Sequence, residues 1–270
     1  MEWKNIYRGM IMGASDVVPG VSGGTIAVVL GIYDRLIESI NGLFSKEYKK
    51  HLLFLIPLGV GILTAVFVLA GLIEWLFEHH PRPTQFAFLG LIIGVLPFLF
   101  NQSNAKANFK VNHYVFILIG IAIVGSMAFF QTGEPEPVSE FTSMTYLWIL
   151  GSGFVASAAM ILPGISGSFL LYVIGSYTTI ISAIKNLDIS VIMTVGVGIL
   201  SGILIMSKLI HYLLKQFPFV TYAFVIGMVI GSVFVIFPGW PVDVLETIVS
   251  IITFAGGLLF AYLLGRVEYR

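Results

Sequence analysis

Pro19-Gly20-Val21-Ser22-Gly23-Gly24 returns as Pro163-Gly164-Ile165-Ser166-Gly167-Ser168, an offset of 144 positions. The same offset pairs Ala14 with Ala158, Gly31 with Gly175 and Tyr33 with Tyr177. Further along, Gly59-Val60-Gly61-Ile62-Leu63 recurs as Gly196-Val197-Gly198-Ile199-Leu200 at an offset of 137. That second register also matches Pro81 with Pro218, Thr84 with Thr221, Gly90 with Gly227 and Gly94 with Gly231. The change of register falls in the polar connector 45–51, which is longer in the first copy. Chance likeness between apolar stretches gives scattered Leu and Val matches, not Pro and Gly punctuation in the same order. The chain is therefore a duplication.

Composition fixes the solvent in which the two copies fold. Hydrophobic residues make up 57 % of the chain and charged residues 10 %, with a mean hydropathy of +0.98. A soluble domain carries about 25 % charged residues. Apolar stretches long enough for a hydrocarbon core of about 30 Å recur throughout. The protein is thus expected to be integral to a membrane. Its formal charge is zero, which points to no nucleic-acid partner, and the absence of cysteine removes disulfides and thiolate metal sites. The first fifteen residues contain Lys4 and Arg8, but the apolar run is short and no cleavage site follows. This segment is expected to be retained.

Each copy reads alike. An apolar arm over 6–18 meets the Pro-Gly-x-Ser-Gly break, and a second arm runs over 25–44. Neither is a comfortable membrane span, and backbone freed by Pro and Gly must face protein or a wet cavity rather than lipid. A re-entrant helical hairpin over 6–44 fits, followed by transmembrane helices at 52–77, 84–100 and 114–131. The second copy gives a hairpin over 146–184 and spans at 189–214, 220–237 and 245–264. The expected fold is an all-α polytopic membrane protein of two repeats, 1–132 and 145–270.

Parity makes these repeats inverted. A hairpin returns to its own side and three spans follow, so the second copy begins on the opposite side of the membrane. Twelve of the fourteen Lys and Arg residues then fall on the N-terminal side, leaving only Arg82 and Lys185 on the other, beside Glu134, Glu136 and Glu140. That bias places both termini in the cytoplasm.

Inverted repeats with broken helices are the sequence pointer to a midplane binding site. A helix that starts inside the membrane presents unpaired N–H groups and the positive end of its dipole. Glycine lets a ligand approach the backbone, and Ser or Thr adds a hydroxyl. Ser22-Gly23-Gly24-Thr25 and Ser166-Gly167-Ser168 therefore read as two facing cradles for phosphate or carboxylate. The bland alternative is that these breaks only kink packed helices. Charged residues near the arms add candidates. Arg8 and Arg35 could meet an anion, while the bland reading for Arg35, Glu38, Glu74 and Lys208 is snorkelling to the interface. Asp16 lies deep in the hairpin, with Met160 in its place in the second copy. It is a candidate for an ion pair with Arg8, for taking up a proton, or for capping a helix.

Enzyme signals are weak. None of His51, His79, His80, His113 and His211 has metal-ligand spacing. Ser22 and Ser166 have no neighbouring base in sequence, and there is no Walker or dinucleotide motif. No cofactor is expected.

The stretch Gly13-Ala14-Ser15-Asp16-Val17-Val18-Pro19-Gly20-Val21-Ser22-Gly23-Gly24-Thr25-Ile26-Ala27, with Gly31-Ile32-Tyr33 and 162–168, resembles the bacterial polyprenyl-phosphate transporter family. The resemblance covers essentially the whole chain, with no departure in either Pro-Gly-x-Ser-Gly core. It implies a lipid flippase of the plasma membrane. Such a protein carries undecaprenyl phosphate from the outer to the cytoplasmic leaflet for cell-wall synthesis. The expected partners are that substrate and the surrounding lipids, with a homo-oligomer left open. A proton accompanying the phosphate is the expected driving force. The rival readings are a small-anion channel or exchanger and, less favoured, a membrane-embedded lipid phosphatase.

Overall fold

The computed structural model describes residues 2–16, 22–129, 137–138 and 141–268. Pro19, Gly20 and Val21 of the first break and the acidic residues Glu134, Glu136 and Glu140 lie outside them.

The described residues are all helix and connector. In the first copy α1 (Lys4–Asp16), α2 (Gly23–Val29) and α3 (Tyr33–Gly42) precede α4 (Tyr48–His79) and α5 (Pro81–Gln102). A short α6 (Ala105–Asn108) leads into α7 (Val111–Ser126). The second copy runs α8 (Ser143–Ile161), α9 (Gly167–Ile174), α10 (Tyr177–Lys185), α11 (Ile189–Gln216), α12 (Pro218–Ile236) and α13 (Val244–Glu268). Seven of these are long and apolar enough to cross a membrane: α4, α5, α7, α8, α11, α12 and α13. The matched Pro81 and Pro218 open α5 and α12, where the missing N–H has no intrahelical partner to lose.

Two expectations change. The second hairpin arms are not continuous: α9 and α10 meet at 107°, and α2 is likewise separated from α3. The cause is local. Gly31 and Gly175 have φ of +62° and +84°, the left-handed conformation that ends a helix. In both places the next residue reaches back five positions, Ile32 N–H to Ala27 O and Ser176 N–H to Leu171 O, each at 2.9 Å. In addition, α8 alone has the length and apolarity of a span, where a hairpin arm was expected.

Packing repeats with the sequence. α1 lies against α4 as α8 lies against α11. The third long helices are exchanged between copies: α5 packs on α13, and α12 on α7. These contacts need bare backbone. A Cβ on Gly90 would run into the Phe254 carbonyl, and one on Gly227 into that of Ile117. Phe254 is Ile117 moved by the same 137 positions that separate the two glycines. Close backbone approach at small residues is how helices associate where lipid removes the hydrophobic drive. Ile56, Val60 and Leu63 on α4 and their copies Met193, Val197 and Leu200 on α11 are exposed, an apolar stripe suited to lipid.

Polar contacts define the two ends. At one, Arg35 pairs with Glu2, and Tyr222 donates to Asp34 Oδ2 at 2.7 Å while Gln102 Nε2 donates to Tyr222 at 3.3 Å. The end of α5 thus meets the start of α12. At the other, Arg82 Nη1 bonds both carboxylate oxygens of Glu246 at 3.1 and 3.0 Å, joining the starts of α5 and α13.

Candidate functional site

Both breaks hand the chain to a serine that caps the helix after it. Ser22 is in extended backbone and its Oγ accepts from Thr25 N–H at 3.2 Å. Ser166 caps α9 in the same way, accepting from Phe169 N–H at 3.5 Å. Each serine also meets a second hydroxyl at 3.0 Å, Thr25 Oγ1 in the first copy and Ser168 Oγ in the second.

The two tips touch. Gly164 N–H donates to Thr25 Oγ1 at 2.7 Å, so the threonine of one break satisfies backbone freed by the other. Gly164 has φ of +89° and sits hard against α12, where a Cβ would fall 2.6 Å from the Met228 carbonyl oxygen. Tyr33 OH adds a second link, donating to Ile161 O at 3.1 Å. Gly24 fits under the end of α8, its Cβ position 3.1 Å from Met160 O.

The helix starts are dressed differently. Asp16 ends α1 and turns its carboxylate onto α2, accepting from Gly23 N–H at 2.5 Å. This is the capping role among those considered for Asp16. At α9 the equivalent of Asp16 is Met160, whose side chain packs near Gly167 with no charge to offer. Among the described residues, nothing accepts from Gly167 N–H or Ser168 N–H. Among the described residues the N-terminus of α9 therefore keeps two donors open, where α2 keeps only Gly24 N–H, Gly23 N–H being held by Asp16.

A cavity of about 170 Å³ lies between the tips, lined by Asp16, Ser22, Met160, Ser166, Gly167 and Ser168. At about 30 Å³ per water it has room for a tetrahedral oxyanion. Behind it, and sharing Asp16 and Met160, is an apolar cavity of about 260 Å³ walled by Met12, Leu36, Leu58 and Ile203. A chamber edged by Asp16 and three serines, set against an apolar one, suits an amphiphile. Exposure is one-sided: all seven residues of α2 are buried, whereas Gly167 alone is buried in α9 and Ser168 is exposed.

The arginines stand apart from this chamber. Arg35 lies at the end of the bundle, paired with Glu2 and stacked 4.9 Å from the Phe54 ring centroid. Arg8 donates to Asn5 Oδ1 at 3.0 Å and sits about 12 Å along α1 from Asp16, at 1.5 Å per residue. Neither lines the chamber. Composition and spacing had no way to reveal the Thr25–Gly164 and Tyr33–Ile161 links, although Tyr33 carried a hint in its copy Tyr177.

Fold and site together define a multi-pass membrane protein with a serine-edged chamber between two helix breaks. The chain belongs to the undecaprenyl phosphate translocase-like family, which matches residues 12–253. It is 42 % identical over 274 residues to a polyprenyl-phosphate transporter of Staphylococcus aureus, covering 98 % of this chain and 97 % of that one. It is 37 % identical over 252 residues to a polyprenyl-phosphate transporter of Vibrio cholerae, covering 88 % of this chain and 79 % of that one. These relatives are named as transporters, not enzymes. No solved structure matches the chain.

Proposed function

We propose that this protein is a polyprenyl-phosphate transporter that moves undecaprenyl phosphate from the outer to the cytoplasmic leaflet. One observation carries the reading: two Ser-capped helix starts converge on a single small chamber backed by an apolar one. Ser22, Gly23, Gly24, Thr25, Ser166, Gly167 and Ser168 form the phosphate site. The strongest free donors are Gly167 N–H and Ser168 N–H at the positive end of α9. The prenyl chain stays in lipid or enters the apolar cavity, so a phosphate never crosses bare hydrocarbon.

The two copies act as inverted repeats with both termini cytoplasmic. The meeting of Gln102 at the end of α5 with Tyr222 near the start of α12 supports this, because those helices are copies running in opposite directions. Alternating access follows from the asymmetry. α3 packs across onto α11, with Asn41 Nδ2 donating to Ser207 O at 2.7 Å, while among the described residues α10 makes no comparable contact with α4. Access to the chamber then runs along α9 from the outer side, and release requires α3 to part from α11. Arg8 and Arg35 belong to the cytoplasmic exit, where each can meet the departing phosphate.

Asp16 is the proton carrier. Its carboxylate shares the chamber with the substrate, and two anions in so small a space repel each other. A proton on Asp16 removes that repulsion, so phosphate and proton enter together.

Proteoliposomes loaded with a fluorescent polyprenyl phosphate test the assignment. The Ser22→Ala/Ser166→Ala double variant should flip the lipid at least tenfold more slowly than wild type. Equal rates would sink the site. Release of inorganic phosphate would restore the phosphatase reading, and passage of chloride without lipid would favour the channel.

A further inference from the structure

Another cavity lies away from the hairpin tips. It is about 850 Å³ and sits where the end of α5, the short α6, the start of α7 and the end of α13 come together. Its floor is apolar, with Pro97, Phe98 and Tyr262 exposing rings toward the space. Its mouth carries Asn101, Asn104, Lys106 and Tyr114. No acidic residue lines it.

The polar groups at that mouth have nothing to do within the protein. The Asn101 and Asn104 amides, the Lys106 ammonium and the Tyr114 hydroxyl make no hydrogen bond or ion pair among the described residues. All four are exposed and grouped on one cavity whose other lining residues are apolar. This end of α5 also adjoins Gln102, Tyr222 and Asp34, so the cavity opens at the end of the bundle that holds Glu2 and Arg35. Arg266, outside the lining, is taken up by the Tyr262 ring at 5.6 Å, which leaves Lys106 as the cation of the lining. The second copy has no equivalent of α6, since residues 237–243 join α12 to α13 without a helix.

We propose that this cavity binds an anionic phospholipid, with its phosphodiester at Lys106. The Asn101 and Asn104 amides and the Tyr114 hydroxyl donate to the phosphate oxygens, and the acyl chains lie along Phe98 and Tyr262. One lysine among neutral donors matches the single negative charge of a phosphodiester, and the breadth of the cavity suits a two-chain lipid. The site is independent of the transport chamber and does not require the transport reading to hold.

Native mass spectrometry of the detergent-purified protein decides it, with phosphatidylglycerol, phosphatidylcholine, a polyprenyl monophosphate and inorganic phosphate supplied separately. Wild type should retain one phosphatidylglycerol that Lys106→Glu and Asn101→Leu/Tyr114→Phe retain at least fivefold less. Lys110→Glu, outside the lining, should retain it as wild type does. Equal retention by Lys106→Glu and wild type would overturn the site. Equal retention of phosphatidylcholine would overturn its charge selectivity. Tighter, Lys106-dependent retention of the polyprenyl monophosphate would reassign the cavity to the transported lipid. Lys106-dependent retention of inorganic phosphate alone would reduce it to an ion site.

Discussion

Thr25 Oγ1 accepts a hydrogen bond from Gly164 N–H at 2.7 Å, a side chain of one helix break satisfying the backbone of the other. The copy of Thr25 is Phe169, which has no hydroxyl, so this link exists once and not twice. Both partners are buried. Thr25→Val keeps the shape and leaves the N–H without a partner, at a cost of about 1–3 kcal/mol. Thermal unfolding in detergent should show a fall of several degrees for Thr25→Val and little change for Thr25→Ser. Equal melting of the two variants would mean that the bond contributes nothing.

Asp16 holds Gly23 N–H at 2.5 Å and faces the chamber. Asn in its place still offers a carbonyl oxygen to Gly23 but cannot exchange a proton. Asp16→Asn should therefore keep flipping without a gradient and lose the acceleration that an acidic outer bath gives wild type. The sign follows from the roles: protons supplied outside load the carrier with its substrate. A gradient response that survives in Asp16→Asn would remove the aspartate from the coupling.

Gly31 and Gly175 end α2 and α9 with φ of +62° and +84°. Alanine in this conformation costs roughly 1–2 kcal/mol. Asparagine tolerates it better. Stability measured by chemical denaturation should rank Gly above Asn above Ala at both positions. Alanine matching glycine would mean that neither turn is needed as drawn.

Asn41 ties α3 to α11 through Ser207 O at 2.7 Å. The chain lacks cysteine, so Asn41→Cys/Ser207→Cys introduces the only thiols. A short bifunctional thiol reagent should join them and stop transport, and a reducible reagent should allow recovery on reduction. Full transport in the crosslinked protein would exclude movement of α3 from α11 as a required step.

How far the sequence reaches depends on the range of the interaction. That helices start at Ser22 and Ser166 was legible because a Pro-Gly break is local, but their hydroxyls were read as open to a ligand, whereas each caps its own helix. The contrast between Asp16 and Met160 was legible because the duplication aligns them. The ends of α2 and α9 were within reach too: Gly31 and Gly175 were seen as repeated positions, but the left-handed turn they make was not drawn from them. The exchange of α7 and α13 was out of reach, because Gly90 and Gly227 advertise a close neighbour without saying which helix supplies it. Arg35 shows what charge alone leaves out: its place near an arm pointed toward phosphate, but not to its pairing with Glu2, thirty-three residues away at the surface.

The exchange of third helices has a consequence for how the molecule is made. α5 has its principal neighbour in α13, which is synthesised well after it. During synthesis α5 must wait in the membrane with Gly90 and Gly94 uncovered while more than a hundred further residues are inserted. A chain cut short before α13 leaves that groove open to quality control, and the two copies expressed as separate fragments would have to trade helices to mature. The swap ties the packing of α5 to the insertion of α13, and neither copy is finished before the other.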